Sequence, residues 1–186
     1  MATTSICNEP APEIIVHGTF LNIYGVGVLI TGEPGIGKSE LALGLISRNH
    51  QLIADDAPYF SLENNCLIGK NPLKKVFLSV RGIGLIDVGL IFGQARVKMG
   101  HTLDLIIHLQ LGEASNTIAH LKGQHSIKDI LGCLIPCVTI PIIIPRNLEV
   151  LVEIIVKKYL LELNKEGASV GNFEELLQEK METFTS

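Results

Sequence analysis

The stretch Val26-Gly27-Val28-Leu29-Ile30-Thr31, followed at once by Gly32-Glu33-Pro34-Gly35-Ile36-Gly37-Lys38-Ser39, decides how this chain is read. The first six residues form a continuous apolar run, the pattern of a strand buried on both faces. The next eight fit GxxxxGK[ST] at every fixed position. A loop that wraps round phosphate must turn its N–H groups inward. Gly32, Gly35 and Gly37 permit those dihedrals and leave room for a ligand. A helix is expected from about Lys38 to Arg48, with Leu41, Leu45 and Ile46 near helical spacing, and its N-terminus adds the positive end of its dipole. Lys38 supplies a point charge to the outer phosphates, and Ser39 offers a hydroxyl ligand to Mg²⁺. The strand before and the helix after weigh against a Gly-rich turn with an incidental Lys-Ser. Gly32, Glu33, Pro34, Gly35, Ile36, Gly37, Lys38 and Ser39 are therefore the candidate phosphate-binding set.

Working outward, Gln51–Ala54 reads as a short strand ending in Asp55-Asp56. In an α/β sheet that end faces the same crevice as the phosphate loop. A carboxylate there suits a Mg²⁺ ligand, direct or through water, or a proton acceptor for an attacking hydroxyl. A solvated turn or a helix cap is the competing reading. His17 stands in an extended stretch before the loop strand, and taken alone a single His is more often structural. Arg81, flanked by Gly82 and Gly84, is either a surface turn or a close approach to an anion, and Arg146 has the same ambiguity. His50, His101, His108, His120 and His125 show no paired metal spacing.

The bulk numbers bound the class. With 47% hydrophobic and 18% charged residues over 186, the chain can fill one ordinary core and is not of disordered type. A net charge of −4 provides no general attraction to nucleic acid or an acidic membrane surface. Any phosphate site must be local. Cys7, Cys66, Cys133 and Cys137 include no CxxC pair, which suits a reducing, cytoplasmic setting with free thiols. Residues 1–12 hold no Lys or Arg and no apolar run, so a loose arm is expected there and no secretory leader. Leu131–Ile144 is the most apolar stretch, but Pro136 and Pro141 interrupt it and it is short for a membrane span. It reads as buried strand.

Further strands are expected within Glu13–Tyr24, Val76–Val80 and Leu103–Leu111, with a turn at Asn64-Asn65. Residues 112–126 read as a surface loop or short helix. Asn147 suits the cap of a helix carrying the stripe Leu148, Leu151, Val152, Ile155, Val156, Tyr159, Leu160 and Leu163, ending at Gly167. A last helix is expected after Asn172.

Tyr24 through Glu40, then Leu52-Ile53-Ala54-Asp55-Asp56, resembles the catalytic domain of HPr kinase/phosphorylase. Val80-Arg81-Gly82-Ile83-Gly84-Leu85-Ile86-Asp87 and Leu90-Ile91-Phe92-Gly93 resemble that family's second signature. Ile140-Pro141 through Arg146-Asn147-Leu148 matches its C-terminal signature more loosely. The resemblance runs from about Ile14 to Tyr159. It implies an α/β fold akin to phosphoenolpyruvate carboxykinase: a P-loop core with a mixed sheet and C-terminal helices. It implies residues 13–186 as the catalytic domain behind the arm 1–12, without the N-terminal domain of longer members. It also implies a bifunctional cytoplasmic enzyme, binding neither nucleic acid nor membrane. The enzyme would phosphorylate a serine of the phosphocarrier protein HPr with ATP or pyrophosphate and Mg²⁺. It would remove that phosphate with inorganic phosphate, releasing pyrophosphate. Carried over by position, His17 is a catalytic histidine and Lys38 the loop lysine. Asp56 is the proton acceptor forward and donor in reverse, Ser39 is a Mg²⁺ ligand, and Arg81 joins the catalytic set. Family members form homo-oligomers, namely hexamers.

The sequence departs from the family pattern at three places. A glutamate that helps hold Mg²⁺ usually stands two residues before the Arg81 position. Here it is Ser79, which leaves Asp55 as the substitute metal ligand. A catalytic arginine expected within 112–126 aligns best with His120. The lysine and glycine normally preceding Arg146 give way to Ile142-Ile143-Ile144-Pro145, a segment associated with dephosphorylation. Two other readings follow: a catalytically weak nucleotide- or phosphate-sensing module, and a P-loop kinase for another substrate.

Overall fold

The computed structural model describes residues 12–112, 124–142 and 147–166. Twelve strands, three α-helices and a short 3₁₀ helix (Gln94–Arg96) occupy these segments, and they build two packed sheets, a hairpin and a helical layer.

The central sheet has six strands in the order β11-β12-β10-β3-β2-β4. Strand β3, Val26–Gly32, lies within it. On one side β3 pairs in parallel with β10, Leu105–Leu111, which pairs in parallel with β12, Cys133–Ile142. On the other side β2, Thr19–Ile23, runs antiparallel to β3 and to β4, Gln51–Ala54. Two antiparallel steps return β4 to the direction of β3. The C-terminal ends of β3 and β4 and the N-terminal end of β2 therefore share one edge of the sheet.

Side chains alternate across this sheet, and both faces of its central strands are buried. Leu21, Val28, Ile30, Leu52, Ile107 and Ile140 pack on one face with Leu41 and Leu45 of α1 (Lys38–Ser47) and Val152 and Val156 of α3 (Leu148–Glu166). Phe20, Leu29, Ile53, Ile106 and Cys137 pack on the other face with Phe60 and Leu67. Those two come from a four-stranded sheet of β1 (Glu13–Ile15), β5 (Tyr59–Glu63), β6 (Cys66–Lys70) and β9 (Gly100–Thr102), in the order β1-β5-β6-β9. Strand rows buried on both sides explain the uninterrupted apolar run of β3. The hairpin of β7 (Phe77–Val80) and β8 (Gly84–Asp87) lays Leu78 and Val80 into the helical side of the core and leads into the short α2, Val88–Ile91.

The expected strands at 13–24, 51–54, 76–80 and 103–111 and the turn at Asn64-Asn65 all form, and both asparagines take positive φ. Asn147 caps α3, its Oδ1 accepting from the Val150 N–H at 3.2 Å. Two expectations are corrected. Residues 124–126 are not loop: they open β11, Gln124–Ile130, which pairs antiparallel with β12 through the turn at Leu131-Gly132. Leu131–Ile144 is not buried throughout either, because Leu134 is 68% exposed. Of its prolines, Pro136 pairs with Ile127 of β11 and lies one residue before the ladder with β10 begins, and Pro141 pairs with Gln110 of β10. The arm before Pro12, His120, the segment 143–146, Gly167 and the last helix lie outside the described residues.

Candidate active site

Helix α1 begins where β3 ends. Gly37 occupies its N-cap at φ 103° with no side chain capping the first turn, so the leading N–H groups are left to a ligand. Gly32, Gly35 and Gly37 all take positive φ. At Gly32 a Cβ would also stand 2.6 Å from the Leu109 carbonyl, so the turn out of β3 has no room for a side chain. Lys38 is buried against the loop, and its Nζ donates to the carbonyls of Gly32 (2.9 Å) and Glu33 (3.1 Å). An ammonium has three protons, so one remains for a phosphate oxygen. At its far end α1 stops in a Schellman pair: His50 N–H to Leu45 O at 3.1 Å and Asn49 N–H to Ile46 O at 3.0 Å, with Asn49 left-handed.

Asp55 and Asp56 leave β4 at the same edge and diverge. Asp55 turns toward α1. Its Oδ1 accepts from Thr19 Oγ1 at 2.6 Å, and its Oδ2 from Ser39 Oγ at 3.2 Å and from the Ser79 N–H at 3.3 Å. Asp56 turns to solvent, and its Oδ1 lies 3.1 Å from His17 Nδ1. Its φ is +69°, and the Ala57 N–H closes a three-residue turn onto the Asp55 carbonyl at 2.9 Å. A non-glycine residue held in that region is locally strained, which is common where a side chain must be aimed. The Asp56 carbonyl accepts from the Gly18 N–H at 3.1 Å, tying the turn to the start of β2.

These residues line one open cleft of about 480 Å³, formed by His17, Pro34, Gly35, Gly37, Lys38, Ser39, Glu40, Asp55, Asp56, Ser79 and Arg81. Arg81 leaves β7 and brings its Nη2 to 3.7 Å from the position a Cβ on Gly35 would take, beside the loop. Of the candidate loop residues, Gly32 and Glu33 turn carbonyls to Lys38, and Ile36 packs its side chain against the core. Every candidate catalytic residue from the sequence, His17, Lys38, Asp56 and Arg81, lies in this one cleft with Ser39 and Asp55. Sequence reasoning did not single out Thr19 or Glu40. Thr19 is wholly buried in a β strand, and only the register of β2 between β3 and β4 brings its hydroxyl to Asp55.

The oxygens near Ser39 and Asp55 are hard donors facing the loop that would carry phosphate, a set that suits Mg²⁺ held partly by the ligand's own phosphates. Among the described residues no group of three or more His, Cys, Asp or Glu side chains gathers to hold a metal. None of their helices is long and apolar enough to cross a membrane.

The family model for the HPr serine kinase C-terminal domain matches residues 8–177. The chain belongs to the HPr serine kinase family. Family relatives include the HPr kinase/phosphorylase of Bordetella petrii, 45% identical over 159 residues, 82% of this chain and 50% of that protein. Another is the HPr kinase/phosphorylase of Stenotrophomonas maltophilia, 43% identical over 156 residues, 81% of this chain and 49% of that protein. The chain thus spans about half the length of these HPr kinase relatives. The solved Hpr(Ser) kinase/phosphatase from Coxiella burnetii superposes with a TM-score of 0.78 at 39% identity, covering 84% of this chain and 96% of that one. The mixed α/β architecture is that of an HPr kinase.

Proposed function

We propose that this domain transfers a phosphoryl group from ATP or pyrophosphate to a serine of HPr, and returns it to inorganic phosphate in the reverse direction. The observation that carries the proposal is the meeting of an anion cradle and an exposed, aimed carboxylate in one cleft. Lys38 and the first N–H groups of α1 face it from one side, and the His17–Asp56 pair faces it from the other. The His17 and Asp56 side chains are 55% and 78% exposed, open enough for a hydroxyl carried on another protein.

Phosphoryl transfer depends chiefly on positioning and charge stabilisation. In this reading Lys38 and the loop amides hold the donor phosphates, and Arg81 neutralises charge on the group in flight. Asp56 takes the seryl proton as the oxygen attacks. His17 Nδ1 holds the carboxylate in the orientation that receives the proton. In reverse, an oxygen of inorganic phosphate attacks the seryl phosphorus, the bond to the serine oxygen breaks as Asp56 gives that oxygen its proton, and the pyrophosphate so formed is released. Mg²⁺ bound by Ser39 and the neighbouring Asp55 would supply further charge neutralisation at the phosphates. The proposal includes cytoplasmic action and a homo-oligomer, by family analogy a hexamer; a monomeric mass by light scattering at micromolar concentration would contradict the latter.

The test mixes pure protein, Mg-ATP or Mg-pyrophosphate, and a cognate HPr, and reads phosphoserine by mass. No transfer while nucleotide still binds would remove the kinase reading. Ser79, a neutral residue beside Asp55, favours a second reading, a sensing module with little turnover. That reading fails if Asp56→Asn lowers turnover by orders of magnitude.

A further inference from the structure

We infer that Thr19 is a positioning residue for the divalent cation: its hydroxyl sets the Asp55 carboxylate so that Ser39 presents its oxygen lone pairs to Mg²⁺. The inference rests on the phosphotransferase reading above and assigns a role to a residue outside the loop motif.

Three features of the geometry carry it. Thr19 is wholly buried, and its hydroxyl finds its partner in Asp55 Oδ1 at 2.6 Å, the shortest contact that carboxylate makes. A buried hydroxyl left without a partner is costly, so this bond forms wherever the sheet forms. With Oδ1 held, the carboxylate plane is set. Oδ2 then receives Ser39 Oγ at 3.2 Å and the Ser79 N–H at 3.3 Å, whereas Ser39 stands 3.5 Å from Oδ1. The Ser39 proton is thereby engaged by Asp55, which leaves the lone pairs of the Ser39 oxygen free. A hydroxyl whose proton is engaged in this way turns its lone pairs outward, the form in which it binds a hard cation.

The charge in this corner is also sparse. Ser79 is neutral, and Asp55 is the only carboxylate that hydrogen-bonds Ser39 among the described residues. Its orientation then matters more than it would beside a second acid. Thr19 fixes that orientation from β2, a strand that contributes nothing to the phosphate loop itself. This is the way buried neighbours hold the groups that surround a metal.

The test compares wild type, Thr19→Val and Thr19→Ser by calorimetric titration with ATP and, separately, with pyrophosphate at a series of Mg²⁺ concentrations, without HPr, beside thermal unfolding of the free proteins. Valine keeps the shape of threonine and removes the hydroxyl, while serine keeps the hydroxyl. Expected results are a melting temperature for Thr19→Val within a few degrees of wild type, unchanged ATP affinity without Mg²⁺, and a roughly tenfold rise in the Mg²⁺ needed for half-maximal tightening. Thr19→Ser should restore that requirement to within about twofold. An equal Mg²⁺ requirement in wild type and Thr19→Val overturns the assignment. So does a Thr19→Ser variant as impaired as the valine one, or a Thr19→Val variant that loses Mg²⁺-free binding to the same degree. If wild type itself binds neither ATP nor pyrophosphate at any Mg²⁺ concentration, the phosphotransferase reading falls and this inference with it.

Discussion

His17 Nδ1 lies 3.1 Å from Asp56 Oδ1, joining the residue that leads into β2 to the residue that leaves β4. The two are 39 positions apart in the chain, and the antiparallel pairing of those strands brings them to one edge of the sheet. Neither side chain is buried, so the pair contributes little to stability. Its location, at the mouth of the anion cradle, is where a proton would be exchanged with an incoming hydroxyl.

The expected outcome of Asp56→Asn is a loss of about 10²–10⁴-fold in HPr phosphorylation with ATP affinity unchanged, because the amide keeps the shape but cannot take a proton. His17→Ala should cost less, about tenfold to a hundredfold in kcat, since it removes only the group that orients Asp56. Steady-state kinetics with calorimetry separates the two effects. Loss of ATP binding in Asp56→Asn would show that the carboxylate holds the donor instead.

Arg81 lies beside Gly35 with its side chain exposed. Arg81→Lys keeps the charge but loses the planar fork that reads two phosphate oxygens at once. The lysine variant should keep ATP affinity within a few-fold while kcat falls by at least tenfold. Arg81→Ala should fall further in kcat. Equal activity of wild type and Arg81→Ala would make this loop a surface turn after all.

How much of this was legible beforehand differs from residue to residue. Gly32–Ser39 and the strand before it are local patterns, and a local pattern survives reading in one dimension. The placing of Asp55 and Asp56 at the loop's crevice was also foreseen, because strand ends in such sheets gather on one side. The insertion of β2 between β3 and β4 was not, and it is what brings in Thr19 and His17. Strand order is decided by pairings between distant segments, which no window of sequence contains. Gln124–Ile130 failed for another reason: it is an exposed edge strand with six of seven residues in solvent, so the period-two signal of a half-buried strand is absent. Glu153 reads as an ordinary surface acid on α3. Its burial follows from Arg48 and His50, more than 100 positions earlier.

That cluster yields a pH prediction. Arg48 grips Glu153 with two bonds, Nε to Oε1 at 2.9 Å and Nη2 to Oε2 at 2.6 Å, and His50 Nε2 lies 2.9 Å from Oε1. The Arg48 hydrogen bonds, more than burial opposes them, lower the Glu153 carboxyl from 4.5 to about 2. A carboxyl depressed on folding contributes its full stability above its unfolded value of 4.5, and loses it as the pH falls toward about 2. The shift corresponds to roughly 3 kcal/mol at neutral pH. Arg48 is 43% exposed, so solvent screening brings the expected contribution to about 1–3 kcal/mol. Glu153→Gln should therefore lose stability at pH 7 and show a flatter dependence between pH 4.5 and pH 2 than wild type. Urea unfolding at a series of pH values reads both. Parallel curves for the two proteins would mean the pair is neutral to folding.

Ser79 offers the sharpest test of the metal site. Leu78 and Val80 point into the core, so the side chain between them points out to the cleft that Ser39 and Asp55 share. A glutamate there would need no burial. Without metal, its charge would repel Asp55, at a cost that falls with salt. With Mg²⁺ bound, two carboxylates in place of one would bind the cation more tightly. Ser79→Glu should therefore lower the melting temperature slightly in chelator and raise it in Mg²⁺ relative to wild type. The Mg²⁺ needed for half-maximal phosphotransfer should fall about tenfold. The opposite signs in chelator and in metal are the useful feature, because a change that merely damaged β7 would lower the melting temperature in both. A Mg²⁺ requirement that stays the same, or rises, would place the cation away from Ser39 and Asp55.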